Sequence, residues 1–318
     1  MMFNLKIKKV SLFSGIISKI NFKLLITLTC LLFLANSIKV NFQDLSNQRF
    51  DLVQIFWLLG GIVFSLLSII INAYAWKLLI NNIGCNSNKL NVIKIYLNTN
   101  IYKYFPGGIW HFVSRYNLLR LKFTAEKSVE SVLLEPVLML VAGLILIPFG
   151  DFNILVFIIC WSSTLLLLTN FREFIVRKLK SMKAAIFISN GVNNINFVRN
   201  DDDSSSKIFY PFKPLFVEII FILFRFFGFL CCLNAFSVGS LISQGELISC
   251  FSLAWITGLI VPAAPGGLGV FESVILFCLG AQLPEASLLA ALLCYRLVST
   301  VSDVLASLIY PVRRLLKV

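Results

Sequence analysis

The chain has 318 residues, 58% hydrophobic and 14% charged, with a formal net charge of +13 and a mean hydropathy of +0.88. A soluble domain is roughly 25% Asp, Glu, Lys and Arg, and a compact chain of this size needs that polar skin. The composition excludes an ordinary soluble enzyme, a nucleic-acid-binding protein and a disordered chain, and leaves an all-α polytopic membrane protein.

Residues 1–23 are basic, with no acid, and read as a cytoplasmic N-terminus. Phe22 to Val40 is long enough to span a bilayer with slight tilt. Its core resembles a signal-peptide apolar region, with small Ala35 and Ser37 beyond it. Retention is favoured, because the orientation of the later spans works with it in place. Leu52 to Ile80 is the second span. Val132 to Phe149 and Phe152 to Thr169 form a hairpin closed by Gly150 and Asp151. Residues 182–213, with Asn193, Asn194, Asn196 and an Asp201-Asp202-Asp203 triplet before three serines, cannot bury apolar area and read as a cytoplasmic linker. It divides a first membrane half (24–181) from a second (214–318). Phe216 to Phe236 and Leu288 to Tyr310 bring the total to about six full crossings.

Basic residues cluster before Leu24, from Lys77 to Lys127, from Arg172 to Lys213 and after Pro311. Such clusters between apolar spans mark cytoplasmic loops, and a basic inner face suits anionic lipid headgroups. The pattern predicts a multi-pass protein of a bacterial inner membrane with both termini cytoplasmic.

Two segments do not fit as simple spans. Residues 90–122 are interrupted by Pro106, Gly107 and Gly108. Residues 247–280 are interrupted by Pro262, Pro265, Gly266, Gly267 and Gly269. Proline removes a donor and glycine tolerates unwound backbone. Unwound backbone at membrane depth survives only against protein or a water-filled cavity. Both are read as re-entrant hairpins, one per half, opening from opposite sides as in an inverted-topology repeat. Two unrelated kinked spanning helices are the plainer alternative.

Seven of the eight cysteines lie in apolar runs, and the chain has one histidine. No disulfide framework, metal site or cofactor is expected. After the first break, His111 and Arg115 share a helix face, with Lys122 expected on the same face. The helix start and cations could grip a lipid phosphate, or the helix could be interfacial with snorkelling bases. After the second break, Glu272 falls in a first helical turn. There it could cap the helix, meet a cationic headgroup, or exchange a proton. On the last helix Arg296, Ser299, Thr300, Asp303 and Ser307 form one polar stripe. Arg225 lies roughly 15 Å and Asp303 roughly 10 Å from the inner boundary at about 1.5 Å per residue. They are close enough in depth to pair, with Glu135 a further partner. These charges are a structural network or the lining of a substrate path. P-loop, nucleophile-elbow and zinc-protease motifs are absent, and no catalytic residue is assigned.

Val261-Pro-Ala-Ala-Pro265-Gly-Gly-Leu-Gly269-Val-Phe-Glu272 resembles the signature of the lysylphosphatidylglycerol synthase/flippase transmembrane-domain family. Leu292-Leu-Cys-Tyr295-Arg296-Leu297 is similar to its closing helix, and Tyr104-Phe-Pro106-Gly-Gly-Ile-Trp110 followed by Arg115 to its first-half motif. Many relatives carry a proline where this chain has Ser302-Asp303. The resemblance implies a domain that moves lipids between leaflets, the best-known substrate being aminoacylated phosphatidylglycerol. Fused members add a soluble aminoacyl-transferase domain. With the chain ending at Val318, aminoacylation is not expected of this polypeptide.

The expected function is therefore flippase-like translocation of an anionic or zwitterionic lipid, with no enzymatic step. Arg115 and Arg296 would contact phosphate, Glu272 a cation or proton, and Pro106 and Pro265 with their glycines would supply the unwound backbone. A membrane transferase acting on a lipid-linked substrate, with Glu272 or Asp303 as base, and a scaffold for a partner synthase are the alternatives. The expected partners are a phospholipid or lipid-linked substrate and a separate synthase or transferase, not nucleic acid; an oligomer is left open.

Overall fold

The computed structural model describes residues 51–105, 109–150, 153–168, 210–261 and 269–309, together with Lys39. The first expected span, most of the linker, and the hinge residues Pro106, Gly107, Gly108, Pro265, Gly266 and Gly267 lie outside the described residues. Within them, regular structure is helical. The α-helices are α1 (Leu52–Asn82), α2 (Val92–Asn100), α3 (Trp110–Leu119), α4 (Ala125–Leu146), α5 (Ile154–Ser162), α6 (Phe212–Ala235), α7 (Gln244–Ile260), α8 (Val270–Leu279) and α9 (Glu285–Leu308). A short 3-10 helix, Ile101–Tyr104, extends α2 toward the first break.

Among the described residues, α1, α4 with its extension to Phe149, α6 and α9 are long and apolar enough to cross a membrane. The expected span Phe152 to Thr169 is described as the shorter α5, followed by 3-10 turn Ser163–Leu167. The long helices turn Phe56, Phe216, Leu297 and Leu308 outward. A soluble protein avoids so much exposed apolar surface, whereas lipid requires it. The chain is a multi-pass helical membrane protein.

The most extensive helix pairing is α1 with α6, and α9 packs against both. Its basis is small residues. A Cβ added at Gly61 would lie 3.3 Å from the Gly228 carbonyl oxygen, and one added at Gly228 would lie 2.7 Å from Ser65 Oγ. Ser302 Oγ on α9 donates to the Ile62 carbonyl at 3.1 Å. In lipid no apolar-burial force pulls helices together, so close backbone approach and buried hydrogen bonds hold them.

The two halves repeat one unit. Helices α3 and α8 are each 10 residues long. Each is followed by the same five-residue turn pattern and then by a long helix, α4 or α9. The turns close alike: Phe123 N donates to Leu119 O at 2.9 Å, and Leu283 N to Leu279 O at 3.0 Å. Packing between the halves is reciprocal. Helix α1 lies on α9 while α6 lies on α4, and α2 lies on α9 while α7 lies on α4.

Candidate functional site: a buried charge network

Most of the charged residues singled out by sequence fall into three clusters. The first joins α3 to α4. Arg115 NH1 lies 2.5 Å from Glu135 Oε2, and Arg115 Nε donates to Thr99 Oγ1 at 3.1 Å. The guanidinium carbon sits 3.7 Å from the Tyr96 ring centroid and 5.3 Å from that of Trp76. Tyr96 OH donates to Glu135 Oε1 at 2.7 Å. Trp76 is anchored by its indole N–H on the Ser131 carbonyl at 3.3 Å. Arg115 is 1% exposed. The structure differs here from the expected phosphate grip, because carboxylate, hydroxyl and aromatic faces enclose the guanidinium. A buried arginine must be paired and stacked to be tolerated. Helix α3 ends at Leu119, so Lys122 lies in the following turn, exposed, and not on Arg115's face. His111 is half-buried in the first turn of α3, its ring 3.8 Å from that of Phe112.

The second cluster joins α8 to α9. Glu272 Oε2 accepts from Gly269 N at 2.8 Å and from Arg296 NH2 at 3.1 Å. Arg296 Nε also bonds Glu272 Oε1. Gly269 has φ 85°, a left-handed backbone that strongly favours glycine. Glu272 thus caps its helix and is charge-paired at once. Arg296 retains 22% side-chain exposure.

The third cluster centres on Asp303, which is fully buried. Its Oδ1 accepts from Asn100 Nδ2 at 2.8 Å, and Arg225 NH2 lies 3.6 Å away. Its Oδ2 accepts from Tyr104 OH at 2.6 Å and faces Lys103 Nζ at 2.7 Å. Arg225 NH1 donates to Ser299 Oγ at 2.6 Å, and Arg225 Nε is buried without a hydrogen-bond partner. Ser299 and Asp303 of the expected polar stripe do face a common partner. Arg296, on the same helix, turns instead toward α8. Two cations thus face one acid, and Lys103 keeps 23% side-chain exposure.

Sequence reading missed Asn100, Lys103 and Tyr104. They precede the first break and look like interfacial residues until the fold sets them against α9. A signal existed: a lysine and a tyrosine directly before Pro106, in the segment expected to dip into the membrane. Glu135, expected to partner Arg225 or Asp303, pairs with Arg115 instead. Among the described residues, no cluster of His, Cys, Asp and Glu has the makings of a metal site.

Long apolar helices around an internal charge network define a membrane protein with a polar interior. Residues 20–307 match the family described as the lysylphosphatidylglycerol synthase TM region, and the chain belongs to that family. A comparison with curated proteins found no match.

Proposed function

We propose that this protein moves a lipid with an anionic or zwitterionic headgroup, aminoacylated lipids among them, between the leaflets of a bacterial inner membrane. The observation that carries this reading is the Lys103–Arg225–Asp303 cluster. It holds two cations against one carboxylate, and membrane-embedded charge is costly enough that it usually serves a transported ligand. A headgroup phosphate supplies the missing negative charge. Lys103 and Arg296, each partly exposed, are the cations able to meet it without dismantling the core.

The two broken segments are read as re-entrant hairpins. Helices α2, α3 and α8 are 9 or 10 residues long and α7 is 17, against the roughly 20 residues a crossing needs. In each half the helices flanking the break pack on one another. The reciprocal packing of the halves supports a repeat, which is read as inverted, and the basic clusters of the sequence favour cytoplasmic termini. Rocking of one half against the other would expose the polar interior alternately to each leaflet. A separate synthase or transferase would make the lipid.

The test is reconstitution in proteoliposomes with fluorescent anionic and aminoacylated lipids. The wild-type chain should translocate label. Folded Lys103→Gln and Arg296→Gln variants should each be slowed about tenfold or more, as expected for loss of a charge-assisted hydrogen bond worth about 1.5–3 kcal/mol. Wild-type rates in both variants would remove these residues from the mechanism. An inert wild-type chain would overturn the reading.

A further inference from the structure

Glu218 has no place in the scheme above. It lies on the membrane-crossing helix α6 and is 1% exposed. Its Oε2 is buried and has no hydrogen-bond partner. Helix α6 packs on α4, which carries Glu135, and Glu135 is paired with Arg115 of α3. Tyr96 on α2 is bonded to the same Glu135.

On the other helices packed against α6, Tyr295 of α9 has a buried hydroxyl without a hydrogen-bond partner, Arg296 pairs with Glu272, and Glu126, Lys127 and Glu130 lie in the first two turns of α4. Tyr74 and Lys77 of α1 line surface grooves, and Lys213 of α6 shares the groove with Tyr74. Arg225 of α6 is turned to Ser299 and Asp303. Asp303 of α9 is held by Asn100, Lys103 and Tyr104. Glu246 of α7 accepts from Gln282 at an exposed position.

Together α6 and the α3–α4 pair it packs on hold two buried carboxyls, Glu218 and Glu135, and one guanidinium, Arg115. Arg115 is committed to Glu135 at 2.5 Å, and the second oxygen of Glu135 is taken by Tyr96 at 2.7 Å. Glu218 is the acid left over. An ionised carboxylate there is uncompensated buried charge, which costs several kcal/mol. A protonated carboxyl is neutral and can itself donate a hydrogen bond.

We propose that Glu218 is a proton-binding site inside the membrane, working against the Arg115–Glu135 pair. Uptake converts the carboxylate and a hydronium ion into a carboxyl and a water; release reverses this, and no other reactant takes part. Release leaves two carboxylates competing for one guanidinium. Arg115 is carried on α3, directly after the Pro106–Gly108 break. The site stands on this geometry alone and holds whether or not the chain moves lipid.

Infrared difference spectra of the full chain in nanodiscs, recorded between acidic and alkaline pH, test it. The wild-type chain should show the carbonyl stretch of a buried protonated carboxyl. Glu218→Gln should remove that band, and Glu285→Gln, at the exposed start of α9, should leave it. Absence of the band in the wild type, or its persistence in Glu218→Gln, overturns the proposal. Where Glu218→Gln does not fold, an apolar carbodiimide, which modifies protonated carboxyls, is applied to the wild-type chain and read by peptide mass mapping. Modification at Glu218 supports the site; modification only elsewhere, or none, overturns it.

Discussion

Arg115 and Glu272 lie about one turn apart on the two equivalent short helices that follow the proline-glycine breaks, and they carry opposite charge. Each finds its counter-ion on the long helix that follows, Glu135 or Arg296. A short helix is thus tied to the following long helix by an ion pair in both halves, with reversed polarity and at different positions. The two pairs differ in burial, and that sets their sensitivity. Glu135→Ala takes from the Arg115 guanidinium its bonded counter-ion inside a closed aromatic box. Breaking a buried pair from one side costs about 3–5 kcal/mol, so its melting temperature in detergent should fall sharply. The double variant Arg115→Met/Glu135→Leu removes both charges and should recover most of the loss. A single variant no less stable than the double one would show that the pair is not energetically closed. At Gly269, φ of 85° makes Gly269→Ala cost about 1–2 kcal/mol in backbone strain, measurable by the same melt although the Gly269 N–H still bonds Glu272.

At the scale of elements, helix contacts depend on where side chains are missing. The α1–α6 crossing is built on Gly61, Ser65 and Gly228. Gly228→Leu places its Cβ 2.7 Å from Ser65 Oγ and must push the helices apart. An overpacking cost of about 1–3 kcal/mol is expected, seen as a lower melting temperature. Gly258 on α7 is the contrast, because an added Cβ there meets nothing within 4 Å. Gly258→Ala should be neutral or stabilise by up to about 1 kcal/mol through helix propensity. Equal destabilisation by both would mean that backbone approach does not set the packing. The long helices were legible in the sequence because a span needs only length and apolarity. Their starts were less so. Helix α4 begins at Ala125 rather than near Val132, its first turn capped by Thr124 Oγ1 accepting from Lys127 N at 3.4 Å. A polar first turn is silent to hydropathy.

At the scale of the whole molecule, Leu121 and Ala281 are exposed and occupy equivalent places in the two repeated turns. An inverted repeat puts such positions on opposite sides of the membrane. In a cysteine-free background, Leu121→Cys should react with an impermeant maleimide only from the cytoplasmic side, and Ala281→Cys only from the outside. Labelling of both from one side would make the two units parallel and would remove alternating access by inversion.

The sequence by itself determined the solvent of this protein, its four long apolar helices, the positions of its proline-glycine breaks and the identity of its embedded charges. These are local quantities: a bilayer reads hydropathy along the chain, and proline and glycine act on their own backbone. The tertiary structure alone decided which charge meets which. Asp303 lies some 200 residues from Asn100, Lys103 and Tyr104 along the chain, and spacing on one helix cannot reveal a partner on another. Burial then separated residues of similar appearance. Arg115 is enclosed because Trp76, Tyr96 and Glu135 converge on it, whereas Arg296 and Lys103 retain access. Convergence of distant side chains is a property of packing, and it is packing that turned a set of expensive charges into an ordered network.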